Sequence, residues 1–256
     1  MNWKPRKPRP LRAGAYVIPS LFTTANMLLG FYALLAGLEG QFQTAVLMLF
    51  AAACLDTLDG RIARLTGTAS PFGREYDSLA DLVSFGLAPA LLCYLWGLHE
   101  LGRVGFAAPA VYLLCNAARL ARFNVSRRTA DPAYFIGLPA PAAAGAIGSI
   151  LFFVDTRGDS FLLQIVVLSA LVVVGLLAVS TFRYVSFKEI DFRRRRSFRV
   201  VLVIASIAVL ALIHIGLFFL VGAASYALSG PTAWVVRRLR RRRRAIRLRA
   251  ATLRGR

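Results

Sequence analysis

DTLDGRIARLTGTASPFGREYDSLAD, residues 56–81, places four aspartates, Asp56, Asp59, Asp77 and Asp81, at the adjoining ends of two apolar runs. FQTAVLMLFAAACL (42–55) precedes it and LVSFGLAPALLCYLWGL (82–98) follows. Each run reads as a membrane-crossing helix, over about 43–64 and 78–98, because a hydrocarbon layer of about 30 Å needs about 20 apolar residues at 1.5 Å each. A carboxylate near such a layer costs a few kcal/mol, so four of them mark a functional site by default. Asp56 and Asp59 are spaced i,i+3 and Asp77 and Asp81 i,i+4, so each pair projects from one helix face. The short connection lets the two helices run antiparallel, with the pairs meeting at one membrane surface.

Further apolar runs lie at about 18–38, 105–123, 136–154 and 161–181, and a 29-residue run extends from 200 to 228. The chain of 256 residues is 57% hydrophobic, with mean hydropathy +0.61 and a formal charge of +20. This excludes a soluble domain, whose apolar share is roughly 45–50%, and a disordered chain, which lacks hydrophobic residues. A basic nucleic-acid-binding domain shares the charge but not the apolar runs, so nucleic acid is not an expected partner. Absence of dyad alternation points away from a barrel. The expected fold is all-α, a polytopic helical bundle. Cys54, Cys93 and Cys115 all fall inside apolar stretches and read as packing residues. The basic N-terminus is followed by no nearby cleavage signal, so the first span reads as retained.

Positive charge sets the orientation. A cytoplasmic N-terminus puts Lys4–Arg12, Arg61, Arg64, Arg74, Arg119, Arg122, Arg127, Arg128 and the basic run 183–199 inside, leaving only Arg103 and Arg157 outside. The tail from Arg237 to Arg256 holds 11 arginines. One helix over 200–228 would export them, whereas a hairpin around His214-Ile215-Gly216 returns them. The expectation is about eight membrane segments, a six-helix core plus a C-terminal pair, with both termini cytoplasmic. The organisation reads as a basic N-terminus (1–17), a membrane domain (18–228) and an Arg-rich tail (229–256). Trp234, Val235, Leu239, Ile246 and Leu248 interleave with the tail arginines, a composition suited either to a solvated basic tail or to attachment at an anionic leaflet.

Four converging carboxylates repel unless cations intervene. Oxygen ligands without nearby His or Cys select Mg²⁺, Mn²⁺ or Ca²⁺ over zinc, and a pair of such ions suits displacement at phosphorus. The plainer reading is that these aspartates face water and pair with Arg61, Arg64 and Arg74. Gly60 favours the first: inside a helical pattern it costs about 1 kcal/mol relative to Ala, and close approach of a ligand supplies a reason. Gly73 and Ala63 keep two more positions small, and Arg64 suits a phosphate.

The string D56-x2-D59-G60-x2-A63-R64-x8-G73-x3-D77-x3-D81 resembles the signature of the CDP-alcohol phosphatidyltransferase family at all eight fixed positions. The resemblance implies an integral membrane enzyme that displaces CMP from a CDP-linked alcohol or lipid. It implies Asp56, Asp59, Asp77 and Asp81 as ligands of two divalent cations, Mg²⁺ or Mn²⁺ with Ca²⁺ admissible, and Asp81 also as the general base. Gly60, Ala63, Arg64 and Gly73 would line the nucleotide and diphosphate site, with Ser70 a further phosphate contact. Segments 18–33, 77–90, 118–125, 137–145 and 183–196 are similar to the serine-using bacterial branch of the family. This implies CDP-diacylglycerol and L-serine as substrates, a bacterial inner-membrane location and a cytoplasmic active site. Arg119 and Arg122 would then hold the serine carboxylate or a lipid phosphate, or else obey only the positive-inside rule.

Two other readings compete. A same-family synthase would use glycerol 3-phosphate or an inositol phosphate, and a cation transporter would use the carboxylates as an ion path. A transporter should carry paired broken helices in two repeated halves, and no such internal symmetry is visible. An inert basic anchor leaves the aspartates without a purpose. Small-residue-rich spans permit homodimer packing.

Overall fold

The acidic stretch forms the corner between two helices. The computed structural model describes residues 17–66, 70–126, 134–154, 160–185 and 215–254, with side chains omitted at 17–19, 63–66, 185, 215 and 241–254. Helix α1 (Val17–Leu38) packs along α2 (Phe42–Thr66) through a tight connection. A Ser70 N-cap then opens α3 (Pro71–Asp81): its Oγ accepts from the Gly73 N–H at 2.9 Å, and Pro71 occupies a first-turn position where no amide donor is needed.

Helix α3 does not end at Asp81. It passes through a π-helical segment, Leu82–Leu87, into α4 (Ala88–Trp96), giving one apolar helical stretch from Pro71 to Trp96. A π turn pairs i with i+5 and shifts the phase of the side chains that follow. Tyr112 supports it by donating its hydroxyl to the Phe85 carbonyl at 2.9 Å, and Ser84 Oγ donates to the Asn26 carbonyl at 2.9 Å. Gly30 lets α1 approach here, since a Cβ at that position would stand 2.7 Å from Ser84 Cα.

After a 3-10 turn (Leu98–Leu101), α5 (Gly102–Ser126) returns along the bundle. Helices α6 (Ala140–Phe153), α7 (Phe161–Val179) and α8 (Ile215–Arg254) complete it. The buried core joins Leu49, Leu92, Trp96, Tyr112, Ile147 and Leu171 from five of these helices. Five described stretches are long and apolar enough to cross a membrane: Ser20–Leu38, Pro71–Trp96, Leu98–Ser126, Phe161–Val179 and Gly216–Arg240. Helix α2 has comparable length but carries Asp56, Asp59, Arg61 and Arg64 in its last turns. Helix α6 has 14 residues, about 21 Å of helix.

Two features differ from expectation. The fifth run begins not as helix but at the end of β1 (Tyr134–Ile136), which pairs antiparallel with β2 (Arg183–Val185), Phe135 opposite Tyr184. Gly137 at φ +80° and the prolines at 139 and 141 delay α6 to Ala140. The final helix runs unbroken from Ile215 through residue 229 and the Arg-rich segment to Arg254. The hairpin at His214 and the run before it lie outside the described residues, which hold the five stretches above together with α2 and the short α6.

The two ends of the bundle are chemically distinct. Thr23, the C-terminal turns of α2 and α5, and the start of α6 gather at the acidic end. Gly40, Gln41, Trp96 and Val154 gather at the other. Helix α8 starts beside Phe152 and Phe153 at that second end and reaches the acidic end by Tyr226. Its basic extension therefore emerges on the same side as the aspartates.

Candidate active site

The last turns of α2 and the first of α3 bring Asp56, Asp59 and Asp77 together, one oxygen from each lying within 4.8 Å of the others. Asp59 is the most enclosed, at 4% exposure, and Thr23 Oγ1 of α1 donates to its Oδ2 at 3.1 Å. Asp81 lines the same cavity but stands apart from this triad, its Oδ1 accepting from Asn26 Nδ2 at 3.3 Å. Helix α1 thus supplies a polar contact to each acidic pair. Thr23 and Asn26, at i,i+3 in an otherwise apolar run, are functional neighbours that the sequence reading missed, and that spacing was the available signal.

The cavity measures about 400 Å³. Asp56, Asp59, Gly60 and Asp77 form its acidic side, Arg61, Arg74 and Arg119 its basic side, and Phe123, Phe135, Pro139, Ala142 and Tyr226 a largely apolar wall. Arg119 is 7% exposed, its Nε has no hydrogen-bond partner among the described residues, and Asp81 is the carboxylate whose charge acts on it most strongly. Asn116, fully buried one turn earlier, leaves its Oδ1 unpartnered. Buried polar atoms of this kind are costly unless something satisfies them.

Not every expected residue joins the site. Arg122 turns away from it: Nη1 donates to the Val179 carbonyl at 2.6 Å, and Nη2 to the carbonyls of Ser180 at 3.1 Å and Ile136 at 3.2 Å. The end of α7 leaves carbonyls without helical donors, and a cation there also meets the helix dipole. Arg122 therefore caps the end of α7, and its hydrogen bonds run there instead of into the cavity. Ser70 and Gly73 are absent from the cavity lining, the Ser70 oxygen being engaged at the N-cap. Ala63 and Arg64 lie on α2, with side chains outside the described set.

The far wall comes from Phe135 of β1 and Tyr226 of α8, with β2 paired to β1. Tyr184 is buried and donates to the Ala227 carbonyl at 3.0 Å, burial pushing its phenol up to about 12 so that it remains a neutral donor. Its ring lies 5.6 Å from that of Tyr226, which faces the cavity. Nothing in the local sequence around Tyr226 advertises this role.

Three clustered carboxylates without histidine or cysteine beside them make a hard-oxygen site suited to Mg²⁺, Mn²⁺ or Ca²⁺ and poorly suited to zinc. A membrane helical bundle with such a triad opening onto a half-apolar cavity defines a class of enzyme acting on a substrate part anionic and part lipid. The chain belongs to the CDP-alcohol phosphatidyltransferase family, whose profile matches residues 16–178, and it is a phosphotransferase. The family uses divalent cations. The CDP-diacylglycerol–serine O-phosphatidyltransferase of Helicobacter pylori (strain ATCC 700392 / 26695) is 38% identical over 214 residues, 81% of this chain and 90% of the relative. The enzyme of the same name from Bacillus subtilis (strain 168) is 35% identical over 153 residues, 57% of this chain and 85% of the relative. The archaetidylserine synthase of Methanothermobacter thermautotrophicus is 36% identical over 134 residues, 52% of this chain and 56% of the relative.

Proposed function

We propose that this chain transfers the phosphatidyl group of CDP-diacylglycerol to the hydroxyl of L-serine, giving phosphatidylserine and CMP. The observation that carries the reading is the carboxylate triad facing a buried arginine across a cavity with an apolar wall. The serine oxygen bonds to the phosphorus attached to diacylglycerol, the bond from that phosphorus to the CMP oxygen breaks, and the serine proton leaves to a carboxylate.

Asp56, Asp59, Asp77 and Asp81 would hold two divalent cations, Asp81 serving both as a ligand and as the general base. When bound, such ions clamp the diphosphate and offset the charge that develops on the leaving phosphate. Asp81, set apart from the triad and oriented by Asn26, is placed to accept the serine proton. Arg119 offers an unpartnered guanidinium N–H to the serine carboxylate or the phosphate. Gly60 admits the nucleotide close to the backbone, and Ala63 and Arg64 extend the same diphosphate region along α2, while Ser70 and Gly73 serve it by starting α3. The apolar wall keeps the diacylglycerol end in contact with lipid. The proposed setting is the bacterial inner membrane with the acidic end facing the cytoplasm. Surrounding lipid, including an anionic leaflet beside the basic tail, and a second copy of the chain are the proposed partners.

Arg61, Arg74 and Arg119 together also suit a phosphorylated acceptor, which is the second reading. Purified protein given CDP-diacylglycerol, Mg²⁺ or Mn²⁺ and each acceptor in turn separates them. Serine should give the fastest CMP release, and faster release with glycerol 3-phosphate or an inositol phosphate would overturn the assignment. No CMP release with any acceptor would reopen the transporter reading.

A further inference from the structure

The end of α8 carries a feature that the transfer reaction does not use. From Ile215 to Ala233 this helix spans 19 residues, about 28 Å, close to the thickness of a hydrocarbon layer. The next seven residues, Trp234 to Arg240, are all exposed. They combine Trp234, Val235, Val236 and Leu239, each between 44% and 50% exposed, with Arg237, Arg238 and Arg240. Apolar surface of this kind is a liability in water, and guanidinium groups are a liability in hydrocarbon. A headgroup layer accommodates both, with indole and aliphatic groups toward the acyl boundary and cations toward phosphate.

The segment is also held in place. Trp234 stands edge-on to Phe182 with ring centroids 5.9 Å apart, and Arg238 lies 5.0 Å above the indole. Gly230 brings the helix against Tyr184, where a Cβ would fall 2.5 Å from the ring. The ribbon that carries Tyr184 also carries Phe135 of the catalytic cavity. The chain has no acidic residue after Asp191 to neutralise the arginines internally.

We infer that residues 234–240 form a binding site for anionic phospholipid headgroups beside the mouth of the catalytic cavity, distinct from the site that holds the lipid substrate. It lies outside the matched family region and goes beyond the proposed reaction. Each arginine near an anionic surface enriches such lipid roughly fivefold at low salt, and Trp234 is a built-in reporter.

The test uses the full chain with Trp3→Phe and Trp96→Phe, reconstituted in bilayers containing the same minor fraction of either brominated phosphatidylglycerol or brominated phosphatidylcholine. Trp234 fluorescence should be quenched more by the anionic lipid. The preference should shrink at high salt, persist when inorganic phosphate is added at matched ionic strength, and vanish in Arg237→Gln/Arg238→Gln/Arg240→Gln. Where the Trp96 change impairs folding, the difference between the parent chain and Trp234→Phe reads the same site. Equal quenching by the two lipids, or a preference unchanged in the triple variant, would overturn the inference. Unaltered CMP release in detergent micelles shows the triple variant to be folded. Because quenching is independent of the acceptor, a failure here leaves the serine assignment standing, and the reverse also holds.

Discussion

Asp59 illustrates how one side chain is made competent by its neighbours. It is nearly enclosed, shares a 4.8 Å cluster with two other carboxylates and accepts from Thr23. Asp59→Asn and Asp56→Asn should each lower transfer by at least about 10³-fold at saturating metal, while the protein still inserts and melts cooperatively. Thr23→Val leaves the ligand but loosens it, and about a tenfold loss that excess metal partly restores is expected. Retained activity in either Asp variant removes the metal proposal. Arg119 and Arg122, one turn apart, should behave oppositely. Arg119→Gln should raise the KM for serine with little change in melting temperature. Arg122→Ala should leave that KM unchanged and lower stability by about 1–3 kcal/mol, because α7 loses its carbonyl partners. The acidic string was legible because charge inside an apolar run is rare and its spacing was distinctive. The different duties of the two arginines were not, since a cap and a ligand look alike until the carbonyls of residues 57 positions away are in view.

Among the elements, the π segment Leu82–Leu87 joins chemistry to packing. On one side it begins at Asp81, and on the other it delivers Phe85 and Ala88 to the core. Inserting one alanine after Val83 would turn the acidic face by about 100° relative to α4. Transfer should be abolished while the apolar stretch remains long enough to insert. Leu87→Ala, at an exposed position in the same segment, should leave activity near that of the parent. Activity retained after the insertion would show that the phase set between α3 and α4 does not position the carboxylates. Hydrophobic periodicity predicted a helix here and was right, but nothing in LVSFGL distinguishes π from α, because the choice is made by Tyr112 and Ser84 in the assembled bundle. The β1–β2 ribbon was illegible for a related reason: Tyr134–Ile136 is too short to signal a strand and merges with the apolar run that follows, and its partner lies 47 to 51 residues on.

At the scale of the whole molecule, the fold sorts charge by end. Helix α1 starts, α2 finishes, α3 starts, α5 finishes, α6 starts and α7 finishes at the acidic end, as alternate crossings require. Helix α8 reaches the same end by Tyr226 and continues as a basic helix, so the arginines and the aspartates share one face of the membrane. The positive-inside rule calls for arginines and aspartates on one side of the membrane, and the connection it invokes at His214 falls outside the described residues. It did not anticipate that α8 closes the catalytic cavity, because contact between Tyr226 and a motif some 150 residues earlier leaves no local trace. A labelling experiment separates these points. In a chain with Cys54, Cys93 and Cys115 replaced by Ala or Ser, a single cysteine at Gln41 should react with an impermeant maleimide in intact cells. One at Gly255 should react only after permeabilisation. Reaction of both from outside would place the tail across the membrane from the aspartates and defeat the one-sided arrangement. Truncation after Arg240 should preserve CMP release in micelles, whereas truncation after His214 removes Tyr226 and the support for Tyr184, and should lower both activity and thermal stability.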